Sequence, residues 1–314
     1  MSPATKLFAG VELGGTKCVC ILGTGPDDVR AVERLPTGER EETLRQIEAV
    51  LDRWRAQHGP ARALGIASFG PVDLRANSPT YGFITSTTKP GWRNTDIAQR
   101  LGRRMGGPVG FDTDVNGAAL AEGRWGAAVG LDDFAYVTVG TGIGAGLIVR
   151  GKSIFGMNHT ELGHIRVARK PGDKFPGVCP FHGDCIEGLA SGPAIEARAG
   201  MPASQLPPDH PTWEFVAHGL AQLVHTMVLT TAPSRIFLGG GVMSAQSHLF
   251  ERIQQELKRS LNRYVEAPEL EQGIGQFVVP PGLGNMAGPL GALALAADAE
   301  IASIVPPLVT AASR

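Results

Sequence analysis

Residues that could bind a metal ion are concentrated in one stretch of this 314-residue chain. Cys179, His182 and Cys185 are spaced as C-x-x-H-x-x-C, and His164 precedes them across the segment 165–178. Two thiolates and two imidazoles form a complete tetrahedral ligand set for zinc, and a site with four protein ligands is structural. The alternative is two core cysteines beside two solvated histidines. We favour zinc, because the segment is rich in Pro, Gly and Lys and its sequence shows no other means of ordering it.

A second group of candidates is acidic. Asp112 and Asp114 lie where an apolar strand beginning at Val109 runs into an Ala-rich helix. Either carboxylate could be the N-cap of that helix. A carboxylate at the junction of a strand and a helix is also where α/β enzymes place a catalytic base. The residues alone leave both interpretations open.

Two glycine-containing turns occupy the same kind of position, each between two apolar runs that predict a β-hairpin. The first has the sequence Gly-Gly-Thr-Lys at residues 14–17, and the second begins Gly-Thr-Gly at residues 140–142. Glycines let backbone N–H groups approach an anion, and Thr16 and Lys17 add donors. One copy alone is equally consistent with a plain hairpin turn. The duplication predicts two turns, one per domain, that hold a polyphosphate across a cleft.

A third glycine run, residues 239–241, follows the predicted strand Arg235–Leu238 and precedes a predicted helix over 246–264. At such a junction a purine or a phosphate can approach bare backbone. The alternative is a structural turn that leads into the helix, which three consecutive glycines make the weaker interpretation.

A polar loop at residues 85–92 ends in Gly91 and Trp92. A tryptophan beside a glycine in such a loop can serve as a platform for a sugar, because aromatic faces pack against the C–H faces of sugars. The alternative is an ordinary surface loop with a half-buried tryptophan.

Apolar spacing predicts the elements that must position these residues. The predicted amphipathic helix Glu41–Gln57 precedes a buried strand, Ala63–Ser68, and a further helix covers Thr212–Thr231. The chain ends in a strand, Gln276–Val279, and a helix, Ala287–Ala297. Alternating strands and helices predict an α/β fold.

Composition and charge exclude several classes of protein. A net charge of −1 and a pI near 6.7 give no footprint for nucleic acid or for an anionic membrane. The first six residues lack the long apolar region of a signal peptide, and no run of about 18 apolar residues predicts a membrane span. Of only four cysteines, Cys18 and Cys20 are predicted to be core residues on one strand face. We therefore expect a protein of the reducing cytoplasm.

Taken together, these residues resemble the ROK family of bacterial sugar kinases, which has the actin/hexokinase-type ATPase fold. The most specific part is Glu-Leu-Gly-His at residues 161–164 followed by the metal-binding stretch. Many members of the family bind zinc with three cysteines and that histidine. His182 as the middle ligand is similar to the fructokinase branch, as are the segments 65–71, 81–87 and 89–92.

The resemblance implies two actin-like, ribonuclease H-like α/β domains around a cleft for ATP and sugar, with a zinc-knuckle insertion. The N-terminal domain would span residues 1–120 and carry the catalytic aspartate, with the helix at 287–300 packing back on it. The C-terminal domain would span residues 121–286 and contain the zinc segment 161–187 and the nucleotide site. We also expect a homodimer.

The implied activity is ATP-dependent phosphorylation of a hexose, with D-fructose converted to fructose 6-phosphate as the favoured reaction and Asp114 as the general base. The alternatives are a kinase for glucose, mannose or an N-acetylated hexosamine, or a non-catalytic sugar-responsive regulator. Regulators of this family carry an N-terminal helix-turn-helix domain, for which a first strand near Leu7 leaves no room.

The resemblance also assigns binding residues. It places the sugar at Glu161, His164, Glu187, Gly91 and Trp92. It places the nucleotide, which would bring Mg²⁺ with it, at a larger set dominated by glycines: Gly14, Gly15, Thr16, Lys17, Thr141, Gly142, Pro193, Gly239, Gly240, Gly241, Val242 and Met243.

Two positions depart from the wider family. Glu12 stands where Asp is usual, and this longer carboxylate could still reach a water of Mg²⁺. Thr113 stands where Asn is usual, which removes an amide that could bind sugar hydroxyls. The second departure argues against glucose as the preferred sugar.

Overall fold

The computed structural model describes residues 7–304, which form two compact units. Unit 1 comprises the residues up to Gly117 and those from Gly288 onward, and unit 2 comprises Ala118–Ala287. Residues 1–6, which the sequence analysis compared with a signal peptide, lie outside the described range. Each unit contains a five-stranded mixed sheet with helices, so the predicted α/β class is confirmed.

The helices and strands follow one another along the chain, and short 3₁₀ turns occur at Leu162–His164, Ala203–Gln205 and Gly284–Met286. In chain order the elements are β1 (Phe8–Leu13), β2 (Lys17–Gly25), β3 (Asp28–Pro36), α1 (Arg40–His58), β4 (Leu64–Ser68), β5 (Phe83–Ile84), β6 (Thr95–Asp96), α2 (Ala98–Met105), β7 (Val109–Thr113), α3 (Asp114–Trp125), β8 (Phe134–Val139), β9 (Ile143–Val149), β10 (Lys152–Ser153), α4 (Ile186–Ala190), α5 (Gly192–Ala199), α6 (Thr212–Thr230), β11 (Arg235–Gly239), α7 (Gly240–Ala245), α8 (Leu249–Leu261), α9 (Pro268–Glu271), α10 (Ile274–Phe277), β12 (Val278–Val279) and α11 (Ala287–Ile304).

The main sheet of unit 1 has the strand order β3-β2-β1-β4-β7. The hairpin β1-β2 is antiparallel, whereas β1, β4 and β7 run parallel. In these parallel strands Glu12 pairs with Ala67 and Ala67 pairs with Asp112, so the three residues form one row across the sheet. The carboxyl ends of the strands therefore bring two candidate acidic segments to the same edge.

Burial in unit 1 follows the sequence pattern. The apolar stripe of α1, which includes Leu44, Leu51 and Trp54, is buried in the core. Cys18 and Cys20 on β2 are both fully buried, as predicted for core residues on one strand face. Since the two thiols lie in the apolar interior of the sheet, they serve as small hydrophobic residues.

Helix α11 packs directly on the sheet of unit 1. A Cβ added to Gly65 would lie 1.8 Å from the carbonyl oxygen of Ala292, so this strand residue must be glycine for the helix to approach. By length and composition alone, Gly284–Ile304 is the one helix of the described residues that could cross a membrane, which the sequence analysis did not anticipate. Its window has a mean hydropathy of 1.3 but is 56% buried, so packing on the sheet accounts for its apolar composition.

The sheet of unit 2 has the strand order β10-β9-β8-β11-β12. Helices α6 and α8 bury apolar residues in the same core as this sheet, among them Trp213, Leu220 and Ile253. In the parallel pair β8 and β11, Thr138 lies opposite Gly239. The second glycine turn and the third glycine run therefore begin at the same end of the sheet.

The third glycine run differs from the prediction. The helix predicted over 246–264 corresponds to α8, which begins at Leu249, whereas the preceding helix α7 begins within the glycines and was not predicted. The break between these two helices falls at Gln246, whose backbone leaves the helical region (φ −127°, ψ 61°). Its buried side chain donates a hydrogen bond from Nε2 to the carbonyl oxygen of Ala203 at 2.6 Å. This contact fixes the break, and nothing local in the sequence indicates it.

Candidate active site and metal centre

The junction of β7 and α3 shows which side chain caps the helix. Thr113 precedes α3, and its Oγ1 accepts a hydrogen bond from the N–H of Asn116 at 3.2 Å. This is the contact of an N-cap residue. Asp112 is buried, and its Oδ1 accepts hydrogen bonds from the N–H of Thr113 and from Nδ2 of Asn116, both at 2.7 Å. Asp112 therefore stabilises the junction, and Asp114 is the candidate for chemistry.

Asp114 is the first residue of α3 and is only partly buried. Its Oδ1 accepts a hydrogen bond from the N–H of Val115 at 2.9 Å. Burial raises the pKa of this carboxyl to about 6, and the charge of Asp112 acts in the same direction. A partly accessible carboxylate with a pKa closer to neutrality is suited to accept a proton from a hydroxyl group.

Glu12, near the end of β1, is electrostatically coupled to Asp114. Burial and, to a smaller extent, the charge of Asp114 raise the pKa of Glu12 to about 7, against the opposing charges of Lys17 and Arg34. A neighbouring negative charge disfavours ionisation of a carboxyl group and so raises its pKa. Unit 1 thus places two acidic groups with raised pKa values at one edge of its sheet.

The first glycine turn is tight and accessible. The N–H of Gly14 donates to the carbonyl oxygen of Lys17 at 3.1 Å, and Gly15, Thr16 and Lys17 are exposed. The turn is held from outside by Lys89, whose Nζ donates to the carbonyl oxygen of Gly15 at 2.7 Å. Lys89 also donates to the carbonyl oxygen of Thr37, at 2.9 Å. Lys89 is far from this turn in sequence, so no local pattern of residues predicts the contact.

The prediction that the Trp92 ring is a platform for sugar is wrong. Trp92 is fully buried, in an edge-to-face contact with Phe69 at 5.5 Å between ring centroids. Its Nε1 donates a hydrogen bond to the carbonyl oxygen of Gly38 at 3.1 Å. A ring with no exposed face cannot stack on a ligand, so Trp92 is a core residue. The adjacent Gly91 is exposed.

The second glycine turn, in unit 2, is closed by a hydrogen bond from the N–H of Gly140 to the carbonyl oxygen of Gly142 at 2.9 Å. Thr141 at its tip is exposed. The N–H of Gly192 donates to the carbonyl oxygen of Gly140 at 2.7 Å, which brings the start of α5 against the turn. A Cβ added to Gly140 would lie 3.9 Å from the nitrogen of Gly241. Three segments predicted to bind a nucleotide therefore meet at one place.

The members of these segments differ in exposure. Pro193, in the first turn of α5, and Gly241, in α7, are exposed. Val242 and Met243 are buried in the core of unit 2 at 5% and 2% exposure. Their side chains are therefore occupied in packing, and only backbone atoms of this part of α7 could face a ligand.

The four predicted metal ligands meet in unit 2. The ligand atoms of His164, Cys179, His182 and Cys185 all lie within 4.8 Å of one another. Nδ1 of His164 lies 3.8 Å from Sγ of Cys179 and 3.6 Å from Sγ of Cys185, and Nδ1 of His182 lies 3.7 Å from Sγ of Cys179. A tetrahedral zinc ion with ordinary bond lengths separates its sulfur and nitrogen ligands by about 3.6 Å. The donor set and its spacing therefore fit zinc.

The protonation of the cluster depends on whether a metal ion is bound. Burial raises the pKa of Cys185 to about 11, and the nearby thiol of Cys179 and carboxylate of Glu187 act in the same direction. Without a cation the thiol stays protonated, whereas a bound metal ion stabilises the thiolate directly.

His164 and Glu187 link the metal ligands to the second glycine turn. Nε2 of His164 lies 4.0 Å from Oε1 of Glu187, on the other side of the ring from the thiols. Oε2 of Glu187 accepts a hydrogen bond from the N–H of Ile143 at 2.9 Å. A Cβ added to Gly142 would lie 2.6 Å from the same oxygen, so the glycine leaves room for the carboxylate. Glu161 lies one turn before His164, and its Oε1 is 3.5 Å from Nδ1 of His159.

The expectation that the metal-binding segment has no other means of ordering is wrong. Asp173 forms a nearly buried ion pair with Arg198 of α5, with Oδ1 to Nη1 at 2.7 Å. The guanidinium carbon of Arg198 also lies 4.4 Å from the centre of the Phe175 ring, a cation–π contact. Asp184, between two ligands, pairs with Arg166 at 2.7 Å. The segment is therefore held at several points besides the metal ligands.

Comparison with known proteins identifies the class. The model of the ROK family matches residues 8–299, so the chain belongs to the ROK family. The predicted family is thereby confirmed.

Three similar proteins within this family are kinases by name. The fructokinase of Zymomonas mobilis subsp. mobilis is 42% identical to this chain over 94% of the chain and 98% of its own length. The fructokinase of Pediococcus pentosaceus is 40% identical over 92% of this chain and 97% of its own length. Among solved structures, a ROK hexokinase from Thermus thermophilus has a TM-score of 0.75 and 28% identity, covering 93% of this chain and 98% of its own.

Proposed function

We propose that this chain transfers the γ-phosphoryl group of ATP to D-fructose and so forms fructose 6-phosphate and ADP. The observation that carries this proposal is the full-length similarity, at 40% and 42% identity, to two proteins named fructokinase. The geometry agrees with it, because Asp114 is an accessible carboxylate with a raised pKa at the end of a sheet whose first strand leads into a glycine turn.

In the proposed reaction Asp114 acts as the general base. Its carboxylate accepts the proton of the sugar hydroxyl while the hydroxyl oxygen forms a bond to the γ-phosphorus. The bond between that phosphorus and the bridging oxygen breaks, and the electron pair leaves with ADP. Placement of the two substrates and neutralisation of the phosphate charge supply most of the catalysis in such transfers.

The binding roles remain as the resemblance implies, with one exception. We propose that the hydroxyls of the sugar bind Glu161, His164 and Glu187, with backbone at Gly91, and we withdraw Trp92. Carboxylates accept hydrogen bonds from adjacent hydroxyls, which suits a hexose. Backbone groups, the hydroxyls of the threonines, the ammonium group of the lysine and the ring of the proline would hold the nucleotide at Gly14, Gly15, Thr16, Lys17, Thr141, Gly142, Pro193, Gly239, Gly240 and Gly241, with only the backbone of Val242 and Met243.

Two metal ions belong to the proposal. Mg²⁺ would come with ATP and would neutralise phosphate charge, and Glu12 would contact a water of that ion. Zn²⁺ would be held by His164, Cys179, His182 and Cys185 and is structural. The chain's own His164 would then bind the metal through Nδ1 and hold Glu187 and the sugar on its Nε2 side.

The preference for fructose over glucose is part of the proposal. Thr113 stands where the wider family has Asn, and its hydroxyl is already engaged as the cap of α3. An Asn side chain would present both a carbonyl oxygen and an NH₂ group to the sugar, whereas Thr113 has only this hydroxyl. We further propose that the enzyme is a homodimer of the cytoplasm.

The decisive experiment is a coupled assay of ADP formation with ATP against a panel of fructose, glucose, mannose and N-acetylated hexosamines. We expect kcat/KM for fructose to exceed that for each other sugar by at least about tenfold, the difference that 1.4 kcal/mol supports. If another hexose is phosphorylated in preference to fructose, the proposed substrate is wrong but the proposed reaction type stands. Absence of sugar-dependent ADP formation would overturn the proposed function.

A further inference from the structure

The carboxylate of Glu12 lies against the backbone of Gly288, the second residue of α11 in unit 1. A Cβ added to Gly288 would lie 2.1 Å from Oε1, 2.5 Å from Cδ and 3.1 Å from Oε2 of Glu12. All three atoms of the carboxyl group are therefore within 3.1 Å of the space that any other residue's side chain would occupy. Contacts of this length are not tolerated by a real Cβ atom, so a methyl group at position 288 would displace the Glu12 carboxylate from its present position.

The position of this carboxylate matters for its neighbours. Glu12 pairs with Val19 across the hairpin and with Ala67 in the parallel strand, so its backbone is fixed by the sheet. Its side chain, by contrast, has rotatable bonds and can take other rotamers. The charge of Asp114 raises the pKa of Glu12, so the two carboxyl groups are close enough to interact electrostatically. A displaced Glu12 therefore changes the field at the candidate base.

We propose that Gly288 is a positioning residue: the missing side chain of this glycine seats the Glu12 carboxylate beside Asp114 at the entrance to the first glycine turn. Gly288 touches neither substrate and acts only through Glu12. Its importance for catalysis rests on the proposed function, whereas the seating of Glu12 rests on the structure of unit 1 alone. The sequence gives no hint of it, because Glu12 and Gly288 lie near opposite ends of the chain.

The test is a cycle of four proteins: the unchanged chain, Gly288→Ala, Glu12→Asp and the double variant. Aspartate shortens the side chain by one methylene, about 1.5 Å, which clears the space of the new methyl group. At pH 8 we expect Gly288→Ala to lower kcat with ATP and fructose by about tenfold or more, the size of effect that a small misplacement at a site produces. In the Glu12→Asp background, Gly288→Ala should lower kcat by less than about twofold.

Thermal unfolding of the same four proteins gives a readout that needs no substrate. Alanine normally stabilises an open helix position relative to glycine. Gly275→Ala in α10, where an added Cβ meets nothing within 4 Å, is the matched control and should raise the melting temperature slightly without changing kcat. Gly288→Ala should lack this gain or lower the melting temperature, and Glu12→Asp should restore the gain.

The two proposals fail in different ways. If the unchanged chain does not phosphorylate fructose but the unfolding cycle shows the coupling, the proposed function is wrong and the seating of Glu12 stands. If fructose is phosphorylated and Gly288→Ala keeps its kcat, the inference is wrong. An equal loss of kcat with Glu12 and with Asp at position 12 would also overturn it, because the effect would then not pass through Glu12.

Discussion

Nε2 of His164 lies 4.0 Å from Oε1 of Glu187, while Nδ1 of the same ring lies within 3.8 Å of both cysteine sulfurs. One imidazole thus stands between the metal ligands and a carboxylate that also accepts the N–H of Ile143 next to the second glycine turn. The candidate metal site is therefore connected in space to a segment that the proposed reaction uses. Removal of a bound metal ion should therefore change the KM for one substrate more than for the other.

The first prediction concerns zinc. Pure protein should contain about one zinc ion per chain, since the four ligands form a closed set. Chelation, or Cys179→Ser, should lower the melting temperature and raise the KM for fructose more than that for ATP. The reason is that His164 and Cys185 each lie within a few residues of a proposed sugar contact. Metal analysis, kinetics with each substrate varied and thermal unfolding measure these effects.

Two observations control this prediction. Cys20→Ser changes an equally buried cysteine outside the cluster and should lower stability without a selective effect on the fructose KM. Hydrogen exchange after chelation should increase at residues 177–186 and less near Asp173, because the ion pair with Arg198 remains. Well under one zinc per chain with full activity would show that the cluster is ordinary packing. Equal increases in the KM values for fructose and ATP would mean that the metal ion stabilises unit 2 as a whole rather than the sugar-binding segments.

The second prediction concerns the base. Asp114→Asn should keep the fold and the affinity for sugar but lower kcat by a factor on the order of a hundred or more, the usual contribution of a general base. Asp112→Asn is the matched control, since it lies on the same turn but serves the hydrogen bonds to Thr113 and Asn116. It should lower the melting temperature with a far smaller change in kcat. Near-normal turnover of Asp114→Asn together with an inactive Asp112→Asn would show that the base is misassigned.

The third prediction concerns pH. The proposed base acts when ionised, so kcat/KM should fall as the pH decreases through about 6 to 7, the values raised by burial for Asp114 and Glu12. The free energy of unfolding should depend on pH in the opposite direction. Both folded pKa values lie above those of the unfolded chain, so the stability that these groups contribute is complete below about pH 4 and is lost as the pH rises through about 7.

Glu12→Gln tests the sign directly. It should raise the melting temperature at pH 8, where the native carboxylate is ionised, and change it little at pH 4, where the native carboxyl is protonated. A difference in melting temperature that does not depend on pH would contradict the raised pKa of Glu12.

The fourth prediction concerns Trp92. Trp92→Phe should lower the free energy of unfolding by about 1–3 kcal/mol, because the hydrogen bond to the carbonyl oxygen of Gly38 is lost and the smaller ring leaves a gap in the core. The KM for fructose should stay within about twofold of its original value. Trp213→Phe, which removes a matching Nε1 bond to Pro207 in unit 2, is the control for denaturant unfolding and kinetics. A tenfold rise in the fructose KM for Trp92→Phe alone would restore its role as a sugar contact.

Much of the local structure could be predicted from the sequence. The two hairpins, the amphipathic α1 and the last helix follow from apolar periodicity and turn residues within short windows. The four candidate metal ligands could be named because three lie within seven residues of one another and the fourth precedes them by one loop, and the structure brings all four together. In each case the determining interactions are local, and local interactions leave a pattern in consecutive residues.

Assignments that depend on burial could not be made this way. Trp92 occurs in a polar loop, yet it is fully buried because Phe69 and Gly38, distant in sequence, enclose it. Arg198 orders the metal-binding segment from a separate helix, and neither it nor Asp173 belongs to a recognisable motif.

The sequence by itself determined the family, the α/β class and the set of residues that could bind zinc, sugar and phosphate, because residue type and close spacing define these. Only the tertiary structure decided which aspartate is buried at the junction of β7 and α3 and which is partly accessible, which lysine holds the first turn, and which glycine lies against the Glu12 carboxylate. Those answers depend on contacts between Asp112 and Asn116, Lys89 and Gly15, and Gly288 and Glu12. The last two join residues far apart in the chain, and no pattern of neighbouring residues encodes such contacts until the elements pack.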